Sequence, residues 1–132
     1  MFTFILIGSQ SRQIDIHTLV EQLGSTQNEK GDRYVVYDPA GMENGWIAVQ
    51  PLCDAEKDFD SSELNRVREF LKDPCFILVE GRDGEIRYSD RFVLALDYPE
   101  TFVIDNDHGL IERADKIQKM IRAGKSWINA SL

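Results

Sequence analysis

The run at residues 2–7, Phe-Thr-Phe-Ile-Leu-Ile, constrains the fold more than any other feature of the sequence. Aromatic and β-branched residues in such close succession predict a β-strand that is buried on both faces. The chain of 132 residues is long enough to enclose this strand, because a domain of this size buries about two thirds of the surface that its unfolded chain exposes. No repeat, low-complexity tract or linker interrupts the sequence, which predicts a single α+β domain over residues 1–132.

Strand and helix patterns alternate along the rest of the chain. The predicted order is a strand at 2–7, a helix at 14–23, strands at 33–37 and 45–50, a helix whose apolar stripe runs from Leu64 to Leu71, strands at 75–79 and 85–88, apolar stretches at 92–96 and 101–104, and a helix at 110–123. Asp60, Ser61 or Ser62 can cap the second helix, and Pro74 marks its end. The first six elements predict a split β-α-β-β-α-β (ferredoxin-like) core, in which two helices cover one face of an antiparallel sheet, with further C-terminal strands and a C-terminal helix.

The charge balance excludes several classes of protein. The sequence has 15 Lys and Arg against 23 Asp and Glu, a net charge of −8, and 42% hydrophobic residues. These values are those of a globular protein rather than a disordered chain, and they argue against a nucleic-acid-binding module. The N-terminal segment lacks a basic signal-peptide region, and no stretch approaches the ~18 apolar residues of a membrane span. We therefore expect a cytoplasmic protein with neither a membrane nor a nucleic-acid partner.

The sequence contains none of the motifs that bind a cofactor or a structural metal. Cys53 and Cys75 have no CxxC or CxxH spacing, which favours two small buried thiols in a reducing compartment over a disulfide between them. Residues 124–126, Gly-Lys-Ser, imitate the end of a P-loop, but Lys119 stands where the first glycine is required. HExxH, GxGxxG and a nucleophile elbow do not occur either. The expectation is a protein without a cofactor, a metal or a catalytic triad.

The segment 105–109, Asp-Asn-Asp-His-Gly, is the densest polar cluster that contains a histidine. Asp105, Asp107 and His108 could act as an acid and a base or as metal ligands. The segment is not a calcium loop, because Lys116 occupies the twelfth position, where a glutamate is required. Its composition is equally typical of a turn that leads into the N-terminus of the last helix.

Acidic residues are most concentrated between the third predicted strand and the second helix. Residues 51–100 hold 7 basic and 13 acidic side chains, a net charge of −6. One interpretation is structural, with some carboxylates at the positive end of the helix dipole and the others solvated. The other is an acidic surface with an apolar anchor for a basic protein partner. The candidate contact residues are Asp54, Glu56, Asp58, Phe59, Asp60 and Glu63.

In size, acidity and lack of catalytic motifs the chain resembles small acidic bacterial immunity or inhibitor proteins, which neutralise a toxin by covering its active site. This resemblance implies a toxin or enzyme partner with a basic cleft. One alternative is a small enzyme centred on Asp105, Asp107 and His108. The other is a regulatory or structural subunit that acts through Trp46, Trp127 or a sheet edge. We expect Trp127 and Ile128 to fold back onto the domain, and if they do not, they would suit a dimer contact.

Overall fold

A central β-sheet organises the computed structural model, which describes residues 1–12, 14–52, 57 and 59–130. Within these residues the sheet has seven strands in the order β2-β3-β4-β5-β1-β6-β7, and each strand runs antiparallel to its neighbours. The strands are β1 (Phe2–Ser9), β2 (Thr26–Glu29), β3 (Arg33–Tyr37), β4 (Trp46–Pro51), β5 (Pro74–Arg82), β6 (Val103–Asp105) and β7 (Ile111–Arg113). The helices are α1 (Ile16–Glu21), α2 (Ser61–Phe70), α3 (Tyr88–Leu94) and α4 (Ala114–Arg122).

Strand β1 is buried on both faces, as its sequence predicts. It pairs with β5 from Phe2 to Ser9 and with β6 from Ile5 to Ile7. Since successive side chains of a strand point to opposite faces, Phe4 and Leu6 enter one core cluster and Ile7 enters the other.

The two faces of the sheet are covered by different helices. Buried side chains of α1, α3 and α4 form the larger core cluster on one face, with Val20, Phe92 and Ile117 among them. Helix α2 covers the other face, where Val67 packs with Phe76 and Ile111. The domain therefore has three layers, with the sheet in the middle.

The α+β class is confirmed, whereas the strand order differs from the split β-α-β-β-α-β (ferredoxin-like) arrangement. In a split unit the two strands that flank a helix are parallel, with another strand between them. Here β4 and β5, which flank α2, are adjacent and antiparallel. The sequence does not predict strand β2, which forms a hairpin with β3. Strand β3 consequently runs antiparallel to β1, whereas a split unit requires these two strands to be parallel.

Two further sequence predictions require correction in the C-terminal half. Residues 85–88 were expected to form a strand, but Tyr88 begins helix α3, and this helix also contains part of the apolar stretch 92–96. The carboxylate of Asp83 accepts hydrogen bonds from the backbone N–H of Ser89 (2.9 Å) and from its hydroxyl (2.6 Å), which stabilises the start of α3. Residues 111–113 form β7 rather than the first turn of the last helix. Among the described residues no helix has the length and apolar character needed to cross a membrane.

Candidate functional site

Asp60 and Glu63, two of the candidate contact residues, lie at the N-terminus of α2. Asp60 is the N-cap and accepts a hydrogen bond from the Glu63 N–H (2.8 Å), while the Glu63 side chain accepts one from the Asp60 N–H (3.0 Å). The hydroxyl of Ser62 also donates to Asp60. These bonds lower the pKa of the Asp60 carboxyl, the one from the Glu63 N–H contributing most. The predicted cap is confirmed, and both carboxylates are held in fixed positions as a capping box.

The other candidate contact residues of this segment divide into two groups. Phe59 is only 9% exposed, and its ring centroid lies 5.1 Å from that of Phe76 in the core beneath α2. Its ring therefore faces the interior and does not form the exposed apolar anchor that the sequence suggests. Asp54, Glu56 and Asp58 lie outside the described residues.

The segment 105–109 is shaped by Asn106, which is fully buried. Its amide oxygen accepts hydrogen bonds from the backbone N–H groups of His108 (2.8 Å) and Leu110 (3.1 Å). Its amide nitrogen donates to the carbonyl oxygens of Trp127 and Ala130, each at 2.7 Å. Asn106 thus fixes the loop and joins it to the segment that follows α4. Asn106 is not among the predicted site residues, although the side chain of an asparagine in a turn rich in Asp and Gly commonly bonds to the local backbone.

Asp105, at the end of β6, is a buried carboxylate. Its side chain is 4% exposed and accepts a hydrogen bond from the Asp107 N–H (2.9 Å). Burial raises the pKa of the Asp105 carboxyl above its ordinary value, and the negative charges of Glu63 and Asp107 raise it further, while the bond from the Asp107 N–H acts in the opposite direction. Glu63 at the start of α2 therefore lies close enough to Asp105 at the end of β6 for their charges to interact.

Ion pairs between described residues engage some of the basic side chains. Between described residues, the ion pairs join Arg33 to Glu80, Arg66 to Glu69 and Glu112, Arg87 to Asp90, Arg113 to Asp115, and Lys116 to Glu112, and the His17 imidazole lies 3.9 Å from the Glu21 carboxylate. Asp60, Glu63, Asp105 and Asp107 take part in none of these pairs. We call the three that reach the surface, Asp60, Glu63 and Asp107, the acidic end of the domain, whereas Asp105 is buried.

Substitution of Asp105 by asparagine is expected to stabilise the protein at pH 7 by about 1 kcal/mol, the scale of a typical single substitution. The native state binds the proton of this carboxyl more tightly than the unfolded state does, because its native pKa is raised. The stability that protonation provides is therefore present at low pH and is lost as the pH rises through the raised pKa. Asparagine keeps an oxygen for the Asp107 N–H without the charge.

Urea unfolding of parent and Asp105→Asn across pH 4–8 measures this effect. The stability difference should be largest near neutrality and should shrink as the pH falls and the parent carboxyl becomes protonated. Asp32→Asn, at an exposed turn between β2 and β3, is the matched control and should show no such trend. A variant less stable than the parent at pH 7 would contradict the assignment.

His108 lines a polar cleft of about 420 Å³ together with Asp107, Arg82 and Asp83. Asp105 does not line this cleft, since its carboxylate is buried at the end of β6. Both oxygens of Asp83 accept hydrogen bonds from Ser89. Among the described residues no group of three His, Cys, Asp or Glu side chains is arranged to hold a metal ion. The three residues of the proposed enzyme site are thus not gathered around one cavity.

Trp127 folds back onto the domain, as the sequence predicts. It is 1% exposed and contacts Phe4 edge-on, with a centroid separation of 5.0 Å, and its indole N–H donates to Asp90 (2.8 Å). Trp127 is therefore not available for the dimer contact considered above. Cys75 is a free cysteine that is partly buried, whereas the sequence predicts a buried thiol, and Cys53 lies outside the described residues.

Comparisons with protein-family models, with curated proteins and with solved structures found no match to this chain.

Proposed function

We propose that this chain is an immunity-type inhibitor, a protein-binding domain that neutralises a toxin or enzyme by covering a basic cleft with its acidic end. The observation that supports this most directly is the capping box at the N-terminus of α2, which holds the Asp60 and Glu63 carboxylates in place. In this proposal the inhibitor meets its partner in the cytoplasm.

The electrostatics of the acidic end favour a cationic partner. Carboxylates that crowd together repel one another, which costs stability in the free domain. A basic surface that docks against them relieves this repulsion and also accelerates the encounter of the two proteins. The capping box holds Asp60 and Glu63 in place before binding, so that little side-chain freedom is lost when the partner docks.

A small enzyme is the second candidate function, and the cleft beside His108 and Asp107 is the observation in its favour. It would have to work without Asp105, whose side chain supports the loop from inside. A dimerising subunit would have to use Trp46 or a sheet edge rather than Trp127. The inhibitor proposal accounts for more of the acidic residues at the start of α2 and around Asp107 than either alternative does.

The double substitution Asp60→Asn with Glu63→Gln is expected to weaken partner binding about tenfold at low salt. Each exposed charge contact contributes up to about 1 kcal/mol, and 1.4 kcal/mol corresponds to a factor of ten. Asparagine is a good N-cap and glutamine completes a capping box, so the helix should remain intact. A partner captured at low salt from a lysate of the source cells, eluted at high salt and identified by mass spectrometry would supply the ligand for the titration.

Asp32→Asn with Glu43→Gln is the matched control, because it removes two exposed charges from the other half of the sheet. It should leave the affinity within twofold of the parent. Equal affinities of all three proteins, or an affinity that does not depend on salt between 50 and 300 mM, would remove the acidic end as the binding surface.

A further inference from the structure

The pairing of β4 with β5 leads toward both cysteines of the chain. The ladder is unbroken as far as Pro51, which pairs with Ile77. One position further, the backbone N–H of Leu52 donates to the carbonyl oxygen of Phe76 at 2.9 Å, so the same register holds there. The residue after Leu52 and the residue before Phe76 are the two cysteines of the sequence.

The next position of this register suits a disulfide. Hydrogen-bonded and non-hydrogen-bonded pairs alternate along an antiparallel ladder. Leu52 and Phe76 are joined by a hydrogen bond, so continuation of the register by one residue makes Cys53 and Cys75 a non-hydrogen-bonded pair. The Cα atoms of such a pair are about 4.5 Å apart, which lies within the range of about 4.4–6.8 Å that disulfides adopt.

Cys75 is the fixed half of this pair. It belongs to β5 and pairs with Gly8 of β1 on the side away from β4. Cys75 is a free, partly buried cysteine and lines a cavity of about 380 Å³ together with Pro51 and Ile77. Because side chains alternate along a strand, a residue two positions after Pro51 in the same ladder faces the side that Cys75 faces. The cavity leaves room on that side for two bonded sulfur atoms.

A bond between the two cysteines would close a ring of residues 53–75. Helix α2 with its capping box lies inside this ring, and so do all six candidate contact residues of the acidic segment. A covalent ring restricts the unfolded chain more than the folded one and therefore stabilises the fold.

We infer that Cys53 and Cys75 form a redox-sensitive disulfide across β4 and β5, which a small disulfide oxidant such as glutathione disulfide closes and a thiol reductant opens. The free thiols expected in a reducing compartment are then the reduced state of this pair. The inference does not depend on the proposed function, because it concerns the chain without a partner.

The reaction is a thiol–disulfide exchange in two steps. One cysteine thiolate attacks a sulfur of glutathione disulfide, which forms a mixed disulfide and releases one glutathione thiolate. The second cysteine thiolate then attacks the protein sulfur of the mixed disulfide and releases the other glutathione. The protein gives up two protons and two electrons, and glutathione disulfide takes them up to become two glutathione thiols.

The test equilibrates the full chain with reduced and oxidised glutathione at a fixed ratio, in native buffer and in concentrated urea. After acid quenching and alkylation, the oxidised chain should be lighter by about 2 Da, the mass of the two hydrogen atoms lost. Tryptic peptides 34–57 and 73–82 should then be linked. The ratio of disulfide to dithiol should be at least about tenfold higher in native buffer than in urea, because the sheet brings the two positions together. The unfolding equilibrium constant of the oxidised chain should be lower than that of the reduced chain by the same factor.

Cys53→Ser is the matched control, since it leaves Cys75 without a second thiol. Burial raises the pKa of the Cys75 thiol, so this variant should react slowly with glutathione disulfide and gain no stability from it. A disulfide ratio in native buffer no higher than that in urea would overturn the inference. Glutathione attached to both cysteines of the native parent, or bonds between chains in place of the internal one, would overturn it as well.

Discussion

Trp127→Ala is expected to destabilise the domain by about 3–5 kcal/mol, the usual cost of removing a large aromatic side chain from a core. Trp127 is 1% exposed, packs edge-on against Phe4 and donates its indole N–H to Asp90. Alanine would leave a cavity beside Phe4 of β1 and a carboxylate oxygen of Asp90 without its donor. Urea unfolding monitored by circular dichroism measures the loss.

Two further variants separate the contributions to this effect. Trp127→Phe keeps most of the packing but removes the N–H donor, so it should cost less than the alanine variant. Trp46→Ala is the control for deletion of an indole, because Trp46 is only partly buried, with the Arg33 guanidinium 5.9 Å from its ring centroid. Its expected cost is less than half that of Trp127→Ala. If Trp127→Ala cost no more than Trp46→Ala, the role of Trp127 as a core residue would be refuted.

The elements predicted correctly from the sequence are those with strong local signals. Strand β1 has a continuous apolar run, β3 and β4 flank a turn rich in Gly and Pro, and α2 carries both a cap and an apolar stripe. Each of these signals acts over a few residues, through side-chain periodicity or a hydrogen bond to the neighbouring backbone. These four elements can therefore be predicted without knowledge of the tertiary structure.

The elements that the sequence prediction missed depend on contacts with distant residues. Thr26–Glu29 is polar throughout, and it forms β2 by pairing its backbone with β3 at the sheet edge. No hydrophobic alternation marks such a strand. Residues 85–88 alternate as a strand would, yet Asp83 stabilises the helix start that follows, and Phe92 and Val93 are buried in the core. Packing in the core therefore favours the helix that begins at Tyr88 over a strand at 85–88.

The candidate site was visible in the sequence only as two separate acidic clusters. The proximity of Glu63 to Asp105 depends on the register that places Asp105 beside Ile5 in the sheet and on the packing of α2 over that face. Phe59 looked exposed because charged residues flank it. Its burial requires Phe76 on β5, which is 17 positions further along the chain.

Asn106→Ala is expected to cost about 3–5 kcal/mol, more than most single substitutions, because it breaks a buried hydrogen-bond network. The fully buried amide makes four hydrogen bonds, two as acceptor within its own loop and two as donor to the segment after α4. Alanine removes them all, and each backbone group that stays buried without a partner costs about 1–3 kcal/mol. The carbonyl oxygens of Trp127 and Ala130 lose a donor at the same time, so the anchoring of Trp127 weakens as well.

Asn129→Ala is the matched control, since Asn129 is exposed in the same C-terminal segment and should cost less than about 0.5 kcal/mol. Asn106→Asp tests the two halves of the network, because it keeps the acceptor oxygen while it removes both donors and adds a charge next to Asp105. It should be most destabilising at neutral pH and should recover stability as the pH falls and the new carboxyl becomes protonated. Hydrogen exchange at the amides of His108 and Leu110 reports whether the loop opens before the domain unfolds. Slow exchange at both amides in Asn106→Ala would mean that the loop holds its shape without this side chain. The sheet and α2 would then be sufficient to position the residues of the acidic end.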